Sequence, residues 1–111
     1  MSKFVFIYHA PTMPSGAPQP SEEEMKPVMD AWQAWAEKVG EGLVDFGTPL
    51  ADGIRVTKDG TSPSSREVAG YSIIDAENLD TAVELAKIHP HLTMPGGCEI
   101  EVHAAQPVPG M

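Results

Sequence analysis

Glu99, Glu101 and His103 stand two residues apart near the end of the chain. In an extended segment that spacing puts all three on one face. Carboxylates beside an imidazole shift one another's proton affinity and can do general acid–base work. A solvated strand face has the same period, so both readings stand. His9 closes the first apolar stretch. It could reach His103 or one of these carboxylates if the two segments pair, although a backbone-bonded histidine at a strand end is ordinary. His89 and His91 flank Pro90. Such a pair can give two ligands to zinc or copper, but a site usually needs a third protein ligand. No recognised zinc spacing supplies one, so they read as loop histidines, and no metal or cofactor is expected. Asp30, Trp32 and Trp35 share one helical segment. Its two tryptophans point in different directions, one suited to the core and the other to a pocket or a subunit surface. Asp30 could enter that pocket, though exposure is the commoner fate of an aspartate. Cys98 lies on an apolar strand stripe and reads as a small hydrophobe. Arg55 could neutralise an anionic ligand or sit on the surface. No phosphate-binding glycine loop, serine nucleophile motif or dinucleotide fingerprint is present.

The elements that must position these residues follow from periodicity. Phe4-Val5-Phe6-Ile7-Tyr8 is short, aromatic and β-branched, and it ends before Pro11. It reads as a strand with Phe4, Phe6 and Tyr8 on one face and Val5 and Ile7 on the other, which suits burial on both sides. Residues 10–20 carry four prolines and read as a loop. Ser21 followed by Glu24 is a capping-box pattern, and three glutamates suit the first turn of a helix. Met25, Val28, Met29, Trp32, Trp35, Ala36 and Val39 then recur at helical spacing up to Gly40. Leu43 to Phe46 reads as a short strand and Ile54 to Thr57 as a strand or extended arm. Lys58-Asp59-Gly60 is a turn, and Thr61 to Ser65 is a mobile polar stretch. Val68 to Asp75 is a strand. Asn78 caps a second helix to about Ile88, with Leu79, Ala82, Val83 and Ala86 as its stripe. Cys98 to His103 is the last strand, and residues 104–111 form a loose tail.

Strand, helix, strand, strand, helix, strand is the split βαβ order of a ferredoxin-like, α+β subunit. Its antiparallel sheet carries both helices on one face. The opposite face has no cover within the chain, yet the first strand offers it Val5 and Ile7. A second subunit packed sheet to sheet would cover it, so a homodimer is expected.

The 111 residues suit one domain, and 41% of them are hydrophobic. Sixteen acidic residues against seven basic give a net charge of -9, which argues against nucleic acid and membrane surfaces as partners. A single cysteine excludes an internal disulfide framework. No apolar run is long enough to span a bilayer, and the N-terminus lacks the layout of a signal peptide. A soluble cytoplasmic protein is expected.

Several stretches together resemble a known family. They are Lys3-Phe4-Val5-Phe6-Ile7-Tyr8, Met29-Asp30-Ala31-Trp32-Gln33-Ala34-Trp35, Gly47-Thr48-Pro49-Leu50, Gly70-Tyr71-Ser72-Ile73-Ile74-Asp75-Ala76 and Leu79-Asp80-Thr81-Ala82-Val83-Glu84-Leu85-Ala86. The chain is similar across nearly its whole length to the YCII-related family, in the branch marked by a DGPF motif. The resemblance implies a dimeric α/β barrel in which two sheets enclose shared pockets. The motif position falls near Thr61-Ser62-Pro63-Ser64-Ser65, which does not reproduce it. Better-known members carry a histidine on helix one and an aspartate after helix two, suggested as a catalytic pair. Those positions fall near Asp30 and at His89, so the pair is absent or chemically reversed.

The expectation is a small-molecule enzyme with a pocket between the sheet and helix one. His9 and His89 would carry protons, with Asp30 as charge partner. Trp32 and Tyr71 would shape the pocket, with Glu99, Glu101 and His103 as polar lining. The alternative is a non-catalytic module that binds a metabolite or regulates a partner.

Overall fold

A computed structural model of the chain describes residues 2–11, 21–64, 67–94 and 97–109. Strand β1 (Ser2–His9) buries Phe4, Phe6 and Tyr8 on one face and leaves Val5 and Ile7 half-buried on the other. Helix α1 (Glu22–Val39) begins where the Ser21 hydroxyl accepts the Glu24 N–H, and it ends at Gly40, which takes a positive φ of 64°. Strand β2 (Leu43–Asp45) follows a 3-10 turn at Gly40–Gly42. Strands β3 (Ile54–Thr57) and β4 (Gly60–Pro63) precede β5 (Val68–Ala76). Helix α2 (Leu79–Lys87) starts on Asn78, whose side chain accepts the Thr81 N–H, and a 3-10 turn at Pro90–Thr93 leads on to β6 (Glu99–Ala104).

The main sheet is antiparallel, with the order β2-β5-β1-β6. With its two helices it gives an α+β architecture compatible with a ferredoxin-like fold. Trp35 from α1 and Ala82 and Ala86 from α2 share one core with Phe4, Phe6 and Tyr8 of β1 and Ile74 and Ala76 of β5. Both helices therefore lie on the same face. The small side chains of Ala82 and Ala86 let α2 sit close to the strands.

Thr61 to Pro63 form a strand where a mobile polar stretch was expected. They pair with β3 as a hairpin in which Ile54 faces Pro63 and Thr57 faces Gly60. The pairing is held by backbone bonds and by the Thr57 hydroxyl, which donates to the Gly60 carbonyl and accepts the Asp59 N–H. Gly, Thr, Ser and Pro give such a strand no apolar alternation to read. Ser65, most of the expected loop over 10–20 and the end of the tail lie outside the described residues.

Gly47 sets the geometry of the segment after β2. Its φ is +82°, and a Cβ there would stand 1.7 Å from the Tyr71 carbonyl oxygen. Only glycine lets this segment run so close to β5. It continues along β5 through a bridge between Pro49 and Gly70 and the Leu50 N–H bond to Ala69. Among the described residues no helix is long and apolar enough to cross a membrane.

Candidate functional site

β1 ends by sending Tyr8 and His9 to opposite faces, and this divides the candidate residues into two groups. On the helix side the Tyr8 hydroxyl donates to Ser72 Oγ at 2.8 Å, and Ser72 donates in turn to the Phe46 carbonyl at 2.6 Å. The phenol is buried and fully engaged, and burial pushes its pKa up to about 12.

Pro90 stops α2 and opens the short 3-10 turn, which brings both histidines inward. His89 Nδ1 accepts the His91 backbone N–H at 2.9 Å and so caps the turn. The His89 ring is 1% exposed and sits in an aromatic box, with ring centroids 4.3 Å from Trp32, 4.3 Å from Trp35 and 4.8 Å from Tyr8. Since Nδ1 accepts, Nε2 carries the proton, and it has no hydrogen-bond partner among the described residues. Burial, helped by neighbouring His91, lowers the His89 pKa to about 3. A proton carrier near neutral pH was expected here, and the box holds the imidazole neutral instead.

His91 is also buried, but it reaches a cavity. Its Nε2 lies 2.9 Å from the His9 carbonyl oxygen and donates to it. The cavity, about 230 Å³, lies between the first half of α1 and the sheet. Met25, Val28, Met29 and Trp32 line it from α1. Tyr8, Phe46, Gly47, Gly70, His91 and Met94 complete most of the wall. In the sequence Met25, Val28 and Met29 show only as part of an apolar helical stripe, and His91 only as a loop histidine or half of a metal-ligand pair. The signal for His91 was the adjacent Pro90, which turns the chain back toward the strands.

The remaining candidates lie elsewhere. Asp30 is exposed and is not among the lining residues, because two residues along a helix rotate it about 200° from Trp32. His89 stands one layer behind the wall. Tyr71 contributes to the lining, and its hydroxyl donates to Asp45 Oδ2 at 3.3 Å.

On the opposite face of the sheet His9 meets Glu101 at 2.6 Å, and His103 lies 3.7 Å from the same carboxylate oxygen. The hydrogen bond from His9, helped by the charges of His9 and His103 and opposed by desolvation, holds the Glu101 pKa below its ordinary value. His9, Glu67, Glu99 and Glu101 border an open polar depression of about 450 Å³. The strand-six carboxylates and the His9 side chain thus come together on the face opposite His89 and His91, and His91 reaches His9 only at its backbone carbonyl. Among the described residues no group of three or more His, Cys, Asp or Glu side chains is placed to hold a metal ion.

No family model matches the chain, and no curated protein matches it.

Proposed function

We propose that this chain binds a small, largely apolar organic molecule in the cavity between α1 and the sheet. One observation carries the reading: an apolar space of about 230 Å³ walled by Trp32, Phe46, Tyr8 and three methionines. A well-packed core leaves few voids of that size, and a dry cavity of roughly 150 Å³ already takes benzene. The ligand that fits is a single ring or short aliphatic chain with a small substituent. The resemblance of the sequence to the YCII-related family supports a homodimer of the dimeric-barrel type.

Acid–base chemistry on that ligand is the second reading. His91 favours it, as an imidazole in the cavity wall with its ring centroid 5.1 Å from the Tyr8 ring. Trp32 is one of only two tryptophans and lines the cavity, so its fluorescence reports occupancy. Single-ring and short aliphatic compounds should quench it saturably, and Val28→Trp, which fills the space, should abolish ligand-observed NMR binding. Absence of any saturable binder would overturn the proposal. Conversion of a bound compound, followed by mass spectrometry, would raise the second reading over simple binding.

A further inference from the structure

The buried polar side chains of the cavity wall are Tyr8 and His91, and both have spent their donors. The Tyr8 O–H goes to Ser72 and the His91 Nε2–H goes to the His9 carbonyl. A neutral imidazole has one donor and one acceptor, so Nδ1 of His91 is left with a lone pair. No hydrogen bond to that atom is formed among the described residues. The buried polar side chains thus offer no free donor, and His91 offers one acceptor, to an otherwise apolar space.

We infer that the cavity takes a single-ring molecule bearing one hydroxyl donor, a phenol in chemical class, with the hydroxyl delivered to His91 Nδ1. The inference rests on the cavity being the binding site. Trp32, Phe46 and Tyr8 supply edges and faces for an aromatic ring, and Met25 and Met29 supply polarizable sulfur beside it. A carboxylate or phosphate would meet a lone pair in place of donors, in a chain that already carries a charge of -9. An ether or a hydrocarbon would fill the space and leave Nδ1 unpaired, which is the costly outcome for a desolvated acceptor.

The test compares 4-methylphenol with toluene, which has nearly the same shape but lacks the hydroxyl, by ligand-observed NMR titration at pH 8. The wild-type chain should bind 4-methylphenol about tenfold more tightly, the worth of one buried hydrogen bond. His91→Phe keeps a planar ring and removes the acceptor, so the preference should collapse while toluene still binds. Equal wild-type affinity for both probes would overturn the phenol assignment and leave the cavity reading intact. A preference that survives in His91→Phe would place the hydroxyl elsewhere and also overturn it. Failure of both probes to saturate would remove the cavity reading and this inference together. Should His91→Phe not fold, the ¹⁵N resonance of His91 Nδ1 in the wild-type chain decides. A shift with 4-methylphenol but not with toluene supports the contact, and no shift with either refutes it.

Discussion

The His9 imidazole and the Glu101 carboxylate meet at 2.6 Å across the β1–β6 pair, on the face of the sheet that carries no helix. They are diagonal neighbours, since His9 stands opposite Glu99 and Ile7 opposite Glu101. The hydrogen bond from His9 favours the ionised carboxylate, so Glu101 titrates below the ordinary value of 4.5. A depressed carboxyl stabilises the fold above the unfolded-state pKa and loses that contribution as pH falls through the folded-state value. Glu101 is exposed, so the effect on stability is small. The shift itself is measurable: ¹³C NMR of the Glu101 carboxyl should show a low pKa that returns toward 4.5 in His9→Ala. An unchanged titration would mean that the contact does not persist in solution.

His89 gives a larger pH effect of the same direction by a different route. Its pKa falls from 6.5 to about 3 on folding, because the aromatic box excludes the charged form. Above about pH 6.5 both states are neutral and stability is complete. As pH drops from there toward 3, the unfolded chain takes a proton that the folded chain refuses, and stability declines. The integrated loss is on the order of 5 kcal/mol. His89→Asn keeps an acceptor for the His91 N–H but does not titrate. Urea unfolding between pH 7 and 4 should therefore show a flatter stability profile for the variant, whatever its starting stability. Parallel profiles would show that His89 is protonated equally in both states.

The two tryptophans separate core from site. Trp35 is 2% exposed and its indole N–H donates to the Leu85 carbonyl at 2.9 Å. Trp35→Ala should cost about 3–5 kcal/mol in denaturant unfolding, as for other large aromatic truncations in cores. Trp32 is half-buried against the cavity, so Trp32→Ala should cost about 2 kcal/mol or less and weaken ligand binding more than stability. The reverse order of costs would place the core on the wrong side of α1.

Much of this architecture is legible in the chain. Phe4, Phe6 and Tyr8 alternate because one strand face must be apolar, and Ser21 and Asn78 mark helix starts because orphan N–H groups need acceptors. The hairpin strand at Gly60–Pro63 was not legible, since it has no apolar stripe. The burial of His89 was not legible either. Its box is assembled from Tyr8, Trp32 and Trp35, and no local pattern around Pro90 announces that these rings converge there. The division of the candidates follows from strand parity. Tyr8 and His9 are adjacent, so one must face the helices and the other the open side.

That open side leads to the last prediction. Val5 and Ile7 on β1 and Ile73 on β5 form an apolar centre there, only half-buried by the chain itself. Val5 stands opposite Ile73 and Ile7 opposite Tyr71, so the patch is continuous across two strands. A second copy brought sheet to sheet would cover it, and obligate contacts of this kind bury roughly 2,000 Å² or more. Asp75, Glu99 and Glu101 border the same face, and two such acidic rims repel. For such a dimer to form, apolar attraction has to exceed like-charge repulsion, and salt screens only the second. Sedimentation equilibrium should return twice the chain mass at micromolar concentration, with tighter association at about 0.5 M than at about 0.05 M salt. Ile7→Glu puts a carboxylate at the centre of the patch and should give a folded monomer. A wild-type monomer at micromolar concentration in both salts would refute the dimer. A dimer that weakens with salt would mean that it is held by ion pairs in place of the apolar centre.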